Sequence, residues 1–335
     1  MTSRRLLQTL GVVAAGAMAA APACAEPAQD PHGILTLQTE NDAVSTLKGT
    51  SDQYYTAGLR LGYTTGTTGL PSFLDTFGRA VWGDGVQRVS VDISQSMFTP
   101  RNTQINPPNP RDRPYAGYLR VSTALIHDDD NSRGVLGFSV GVVGPAALGR
   151  QVQNGFHTLI GDTGNKGWNS QLRNEPAVEL LAERTFRLPV TRFGGLEVDT
   201  LPALTAGVGS VRDYVQVGAV LRLGQGLGSD FGAPRIRPGF SGSDAYTPTR
   251  PFAWYVFAGV DGQAIARDEF LDGSAFVSNS PHVQRVPFVG EIVGGAAVMF
   301  YGVRLTYTQT WQTTAFRGQK SGLFTFGSLA GSVRF

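Results

Sequence analysis

Three things are scarce in this 335-residue chain, and each scarcity excludes something. Cysteine occurs once, as Cys24, inside an N-terminal stretch with the marks of a leader. Arg4 and Arg5 precede an apolar run from about Leu10 to Ala23, and Ala23-Cys24-Ala25 has the small-x-small form of a cleavage site. A membrane anchor fits less well, because the run is short and rich in Ala and Gly. A lipoprotein anchored through Cys24 fits less well again, because Ala21 stands where a large aliphatic residue belongs. The expectation is a signal peptide over 1–25 and one domain over 26–335. That domain has no cysteine, so it forms no disulfide and does no thiol chemistry.

Charge of one sign is also missing. Without Arg4 and Arg5, the 28 basic residues fall to 26, against 26 acidic ones. A formally neutral chain has no electrostatic footprint for nucleic acid, and no such partner is expected. The third scarcity is long apolar runs. Beyond the leader, no segment approaches the ~20 consecutive apolar residues of a spanning helix. Any membrane crossing must be made by strands.

What is present supports that route. Glycine is abundant, at 43 residues, and Val, Thr, Tyr and Phe are common. Apolar and polar residues alternate over runs of about ten residues, the pattern of a barrel strand. In 301–312, Tyr301, Val303, Leu305, Tyr307 and Trp311 oppose Arg304, Thr306, Thr308, Thr310 and Gln312. In 214–223, Val215, Val217, Ala219, Leu221 and Leu223 oppose Gln216 and Arg222. The last segment alternates in the same way and ends in Phe335, like the terminal strand of bacterial outer-membrane barrels.

Twelve segments qualify: 33–42, 54–65, 87–98, 116–127, 133–143, 175–186, 195–208, 212–224, 252–264, 287–299, 300–312 and 322–335. The fold expected is all-β, a twelve-stranded antiparallel transmembrane β-barrel with a short helix, about 145–160, in an outer loop. An even count leaves both chain ends in the periplasm. The inward faces would carry Arg60, Arg88, Arg120, Arg222 and Arg304 with Asp92, Asp261 and Glu291, a packed and ion-paired lumen more than an open pore. Segments 225–250 and 265–286 read as Gly/Ser/Pro-rich loops, and which rim holds the Pro/Arg/Asn-rich stretch 99–115 depends on the strand count.

Chemistry-bearing residues gather at one rim. Strand one ends in Glu40-Asn41-Asp42, strand two begins Tyr54-Tyr55-Thr56, and the loop after strand five holds Gln153, Asn154 and His157. Alternation places Thr56 inward with Gly58 and Arg60. Taken singly these residues have plain readings: Asn-Asp initiates turns, Thr56 is an ordinary strand residue, and a lone loop histidine is usually solvated. The other histidines, His32, His127 and His282, have no such neighbours.

Together, Glu40-Asn41-Asp42, Asp52 through Tyr55-Thr56-Ala57-Gly58-Leu59, and Gly144-Pro145 through Gln153-Asn154-x-x-His157-x-x-Ile160-Gly161 with Trp168 resemble the lipid A deacylase family of Gram-negative outer membranes. The resemblance spans most of the chain after the leader and weakens after about residue 186. It implies a bacterial outer-membrane esterase that removes the 3'-linked acyloxyacyl group of lipid A with help from calcium (Ca2+). It places the active site on Asn41, Asp42, Thr56, Gln153 and His157, and the partner would be lipid A or lipopolysaccharide in the membrane around a monomeric barrel.

The chemistry agrees: a histidine can activate water near neutral pH, and oxygen-bearing groups suit a hard cation or an oxyanion. Asp42 would either orient the imidazole or join Thr56 in holding the cation. Three positions depart from the family pattern. Ala43 replaces a second acidic residue, Ile105 with Arg101 nearby replaces a lysine, and Asp162 is one place out of register for an acidic residue beyond the histidine. These fall on head-group contacts more than on the hydrolytic core; Arg101, Arg111 and Arg113 are alternative phosphate ligands. Two other readings stay open: an outer-membrane phospholipase with Ser-His chemistry, although no His-x-Ser pair occurs, and a non-catalytic barrel or narrow channel.

Overall fold

The computed structural model describes residues 29–42, 44–45, 52–236 and 244–335; the predicted leader, 1–25, and Ala43 lie outside the described residues. Strands run in chain order as β1 (Ile34–Asn41), β2 (Tyr54–Thr64), β3 (Val86–Thr99), β4 (Ala116–Asp128), β5 (Ser132–Val143), β6 (Glu175–Phe186), β7 (Leu188–Phe193), β8 (Leu196–Gly209), β9 (Arg212–Gln225), β10 (Phe252–Asp268), β11 (Phe288–Phe300), β12 (Val303–Gln312) and β13 (Phe324–Arg334). Neighbours pair antiparallel, and β13 returns to pair with β1, Ile34 opposite Arg334 and Asn41 opposite Gly327. β6 and β7 are successive parts of one stave. Thr185 faces Ala203 of β8, and Leu188 faces Thr200 further along the same strand. The barrel is therefore closed and twelve-staved, as the alternation predicts.

Closure leaves two faces with different solvents. Outward positions such as Leu37, Leu61, Ile93, Val121, Val140, Val217, Leu305 and Leu329 are exposed, which is where a bilayer supplies the apolar surroundings. Inward positions hold buried charge, and the predicted lumenal arginines are each 3% exposed or less. They are paired: Arg222 with Asp199 at 2.6 Å and Asp230 at 2.7 Å, Arg304 with Asp230 at 3.2 Å, and Arg88 with Asp30 at 2.7 Å.

Several of these carboxylates come from no strand. The loop after β9 turns into the barrel and supplies Asp230 and Asp244. It also docks on β1, where Glu40 accepts from the Ile236 amide (2.8 Å) and Gln38 donates to the Pro234 carbonyl (3.1 Å). A segment that composition marks only as a loop is thus an internal plug, because its acidic side chains neutralise arginines that would otherwise be buried uncompensated.

Direction follows from the connections. The turns 129–131, 194–195 and 301–302 lie at the rim carrying the chain ends, and the long connections 100–115, 144–174, 269–287 and 313–323 lie at the other. Short turns mark the periplasmic side and long loops the outer side. β3 climbs, so 99–115 is an outer loop. Two helices also lie against the barrel: α1 (Ser72–Trp82), in a connection where alternation shows nothing, and α2 (Gly149–Ile160). A 3-10 turn at Pro145–Ala147 precedes α2, so the helix expected over 145–160 begins four residues late.

One outer element, α3 (Glu269–Asp272), contains a carboxyl with altered acidity. Burial, reinforced by the Glu175 carboxylate, pushes Glu269 from 4.5 up to about 8, against the pull of Arg267. The folded state keeps a proton that the unfolded chain releases, so this contribution is complete below about pH 4.5 and is lost as pH rises toward about 8. Glu269→Gln is expected to flatten the decline in stability across that window, read as the denaturation midpoint at a series of pH values.

Candidate active site

The five predicted site residues line one cleft of about 430 Å3, together with Thr39, Asp52, Leu59, Phe156, Ile160 and others. The cleft is not in the lumen. Thr39, Asn41 and Leu59 occupy outward positions of β1 and β2, in step with exposed Leu37 and Leu61. The opposite wall is α2, which lies outside the barrel. Gln95, at an outward position of β3, donates to the Ala147 carbonyl at 2.6 Å. At Gly117 an added Cβ would sit 3.3 Å from the Gly149 backbone nitrogen, so the missing side chain lets α2 approach β4 closely. Met97, Tyr115 and Trp168 pack beneath, with Val152 of α2 against them.

The alternation of β2 predicts Thr56 inward, and here the structure differs. The β2–β3 register shifts between Tyr55 and Ala57, leaving Thr56 as the extra residue of a bulge. A bulge breaks the two-residue period and re-aims one side chain. Tyr55 points inward in its place, its hydroxyl donating to Glu40 at 2.8 Å. Thr56 turns to the outer wall, where its hydroxyl bonds that of Thr99 at 2.8 Å.

On α2, Gln153 and His157 are one turn apart and both buried, while Phe156 and Ile160 line the same cleft from more exposed positions and Leu159 is exposed outside it. Trp168 Nε1–H donates to Gln153 Oε1 at 2.9 Å. An indole N–H is only a donor, so the oxygen must face it and Nε2 is directed elsewhere. Gln153 Nε2 is buried with no hydrogen-bond partner among the described residues.

His157 is held from both sides. Nδ1 lies 2.9 Å from the Thr163 carbonyl oxygen, which can only accept, so Nδ1 carries a proton. Nε2 lies 2.9 Å from Asp52 Oδ2, while Asp162 is at 4.0 Å from Nδ1. The imidazole's carboxylate partner is thus Asp52. Of the two roles open to Asp42 in the sequence, the structure gives the imidazole to another residue. An Asp42 carboxylate oxygen accepts instead from the Gln53 amide at 2.9 Å. Asp52 is held in turn by Asn165, whose Nδ2 donates to Oδ2 at 2.8 Å.

A family model described as Outer membrane protein LpxR matches residues 10–335. The chain belongs to the LpxR family. The solved structure of LpxR from Salmonella typhimurium has a TM-score of 0.74 and 21% identity, covering 90% of this chain and 100% of that one. The β-domain of the Bordetella autotransporter BrkA has a TM-score of 0.44 and 8% identity, covering 91% and 99%. No curated protein sequence matches the chain. This LpxR family member is a β-barrel of the bacterial outer membrane.

Two residue assignments change once the LpxR fold is in view. Arg113, a candidate phosphate ligand, is buried with its guanidinium 4.5 Å over the Phe98 ring, and burial lowers its pKa to about 10; Arg101 and Arg111 remain exposed. Asp52 joins the site. It lies within the motif shared with the LpxR family, but nothing local distinguishes it from Asp42 as a partner for a histidine 105 residues later. If it supports His157, Asp52→Asn is expected to lower ester cleavage by about 10²-fold or more with the barrel intact. Measured turnover with unchanged heat-modifiable migration in gels checks this.

Proposed function

We propose that this protein is an outer-membrane esterase that hydrolyses the 3'-linked acyloxyacyl ester of lipid A. The observation that carries the reading is the direction of the cleft. It opens on the lipid-facing wall at the outer rim, between β1–β2 and a helix that brings exposed Phe156 and Ile160 to the cleft. A substrate whose acyl chains lie in the outer leaflet and whose sugars lie at its surface reaches this site sideways, without leaving the membrane.

Water is the nucleophile, and the facing pair of His157 Nε2 and Asp52 Oδ2 takes up its proton as the oxygen attacks the ester carbonyl. The Nδ1–H···O=C bond to Thr163 keeps the ring in the tautomer this needs. Asp52 stabilises the imidazolium that forms, because its carboxylate already faces Nε2. Gln153 Nε2, kept from the indole by the Trp168 bond, is the donor available to the developing oxyanion. The imidazolium then returns its proton to the departing sugar oxygen, leaving a free 3'-hydroxyl and an acyloxyacyl acid.

The donor set of Asn41, Asp42 and Thr56 is oxygen only, which fits a hard cation such as Ca2+. Among the described residues no group of three His, Cys, Asp or Glu side chains can hold a metal, so neutral oxygens and substrate would complete the shell. Bound there, the cation would supply electrostatic stabilisation to the ester oxygen.

Mass spectrometry of lipid A after exposure to the purified protein tests the proposal. The expected result is loss of the 3'-linked acyloxyacyl group, suppressed at least tenfold by a calcium chelator and restored by added Ca2+. Unchanged lipid A with the correctly folded protein and Ca2+ present would overturn the assignment.

A further inference from the structure

Helix α1 is the second amphipathic helix on the barrel's exterior, and nothing in the hydrolytic reading uses it. We propose that α1 is seated in the membrane: it lies on the outer wall at the periplasmic rim and inserts Phe73, Phe77 and Val81 into the periplasmic leaflet.

Its position follows from the register. In β3, residues 91 and 93 face lipid, and Gln87 has the same parity; in β4, residue 121 faces lipid and His127 matches it; in β5, Phe138 faces lipid and Gly134 matches it. All three matching residues are nevertheless buried, because α1 covers them. Trp82 stacks on His127 with ring centroids 5.4 Å apart and also meets Gly134. Gly78 lies against the Gln87 side chain, where a Cβ would clash. Beneath the helix, Gln87 Nε2 and His127 Nδ1 are 2.8 Å apart.

The free side of α1 is the apolar one. Phe73 is 68% exposed and Phe77 and Val81 are each 48% exposed; with Thr76 and Ala80 they form an i, i+3, i+4, i+7, i+8 stripe. Asp75 and Arg79 pair at 3.0 Å on the flank. A helix lying in water would show the reverse arrangement. The stripe instead continues the lipid-facing rows of the strands it lies on, with Val91 only about 13 Å along β3 from Gln87. A leaflet boundary is the occupant that suits an apolar stripe, a flanking ion pair and a tryptophan at one level. Seated there, α1 also keeps the Gln87–His127 pair out of contact with lipid, where unshielded polar groups are costly.

The test uses the full chain with Cys24→Ala and one new cysteine, at Phe77, at Val91 as a lipid-facing reference, or at Asp84, whose side chain is 94% exposed. Each carries a bimane label in phosphatidylcholine vesicles. The expected result is that brominated acyl chains quench the label at 77 as they do at 91, while iodide quenches it at least threefold less than at 84. Phe73→Glu is expected to shift the label at 77 toward the iodide-accessible behaviour while heat-modifiable migration stays unchanged. A label at 77 that iodide reaches as readily as at 84, untouched by brominated lipid, would overturn the proposal. Disulfide crosslinking between two chains through residue 77 at high lipid dilution would overturn it too, by assigning the stripe to a second copy.

Discussion

His157→Ala is expected to reduce ester cleavage by ~10²–10⁴-fold, the range a positioned general base contributes, and to leave the barrel folded. His157 is 8% exposed, but it lies on α2 outside the closed sheet, and its contacts are to Thr163 and Asp52 rather than to the interstrand ladder. Removing the ring should therefore spare strand closure and the Trp168–Gln153 bond. His157→Gln keeps polarity without a basic nitrogen and should fail equally, which separates base catalysis from simple packing. Mass spectrometry of lipid A together with heat-modifiable migration decides the matter; full activity in a folded His157→Ala protein would exclude the imidazole as base.

Asp230→Ala is expected to lower stability by ~3–5 kcal/mol, the cost of breaking a buried ion pair from one side. Asp230 accepts from Arg222 at 2.7 Å, Arg304 at 3.2 Å and the Tyr255 hydroxyl at 2.9 Å, and both arginines are 1% exposed or less. Its removal leaves Arg222 with Asp199 alone and weakens the hold of the plug on β9 and β12. Asp75→Ala, in the half-exposed pair with Arg79 on α1, should change stability by roughly 0–1 kcal/mol. Denaturation midpoints of the two variants in the same lipid provide the comparison. Equal midpoints would mean that the plug and its ion pairs add little to the barrel.

The strands were legible because a barrel wall has a different solvent on each side, and that writes a two-residue period into the chain. Twelve segments located by that period correspond to twelve staves, with β6 and β7 counting as one. The period shows nothing where a helix lies on the outer wall. At Gln87 and His127 the outward residue is polar, and the reason is α1, which has to be seen in place. The plug is similarly hidden, because Asp230 and Asp244 are ordinary loop acids until the fold brings them to Arg222, Arg304 and Arg60.

The candidate site divides in the same way. Asn41, Asp42, Thr56, Gln153 and His157 were visible as a set through their motifs, and they do line one cleft. Which side of the wall that cleft occupies was not visible, because one extra residue at Thr56 reverses a face and alternation carries no mark of it. The identity of the imidazole's partner was not visible either.

By itself, the sequence determined a cysteine-poor chain, strands greasy on one side and charged on the other, and the residue types available for ester hydrolysis. These are local properties, repeated every two residues or contained in short motifs. The tertiary structure decided that the candidate site sits outside the wall, that Asp52 rather than Asp42 meets His157, and that a loop enters the lumen. Each depends on register and loop path between residues far apart in the chain, and a pattern read along the chain carries no record of which distant side chains share a register.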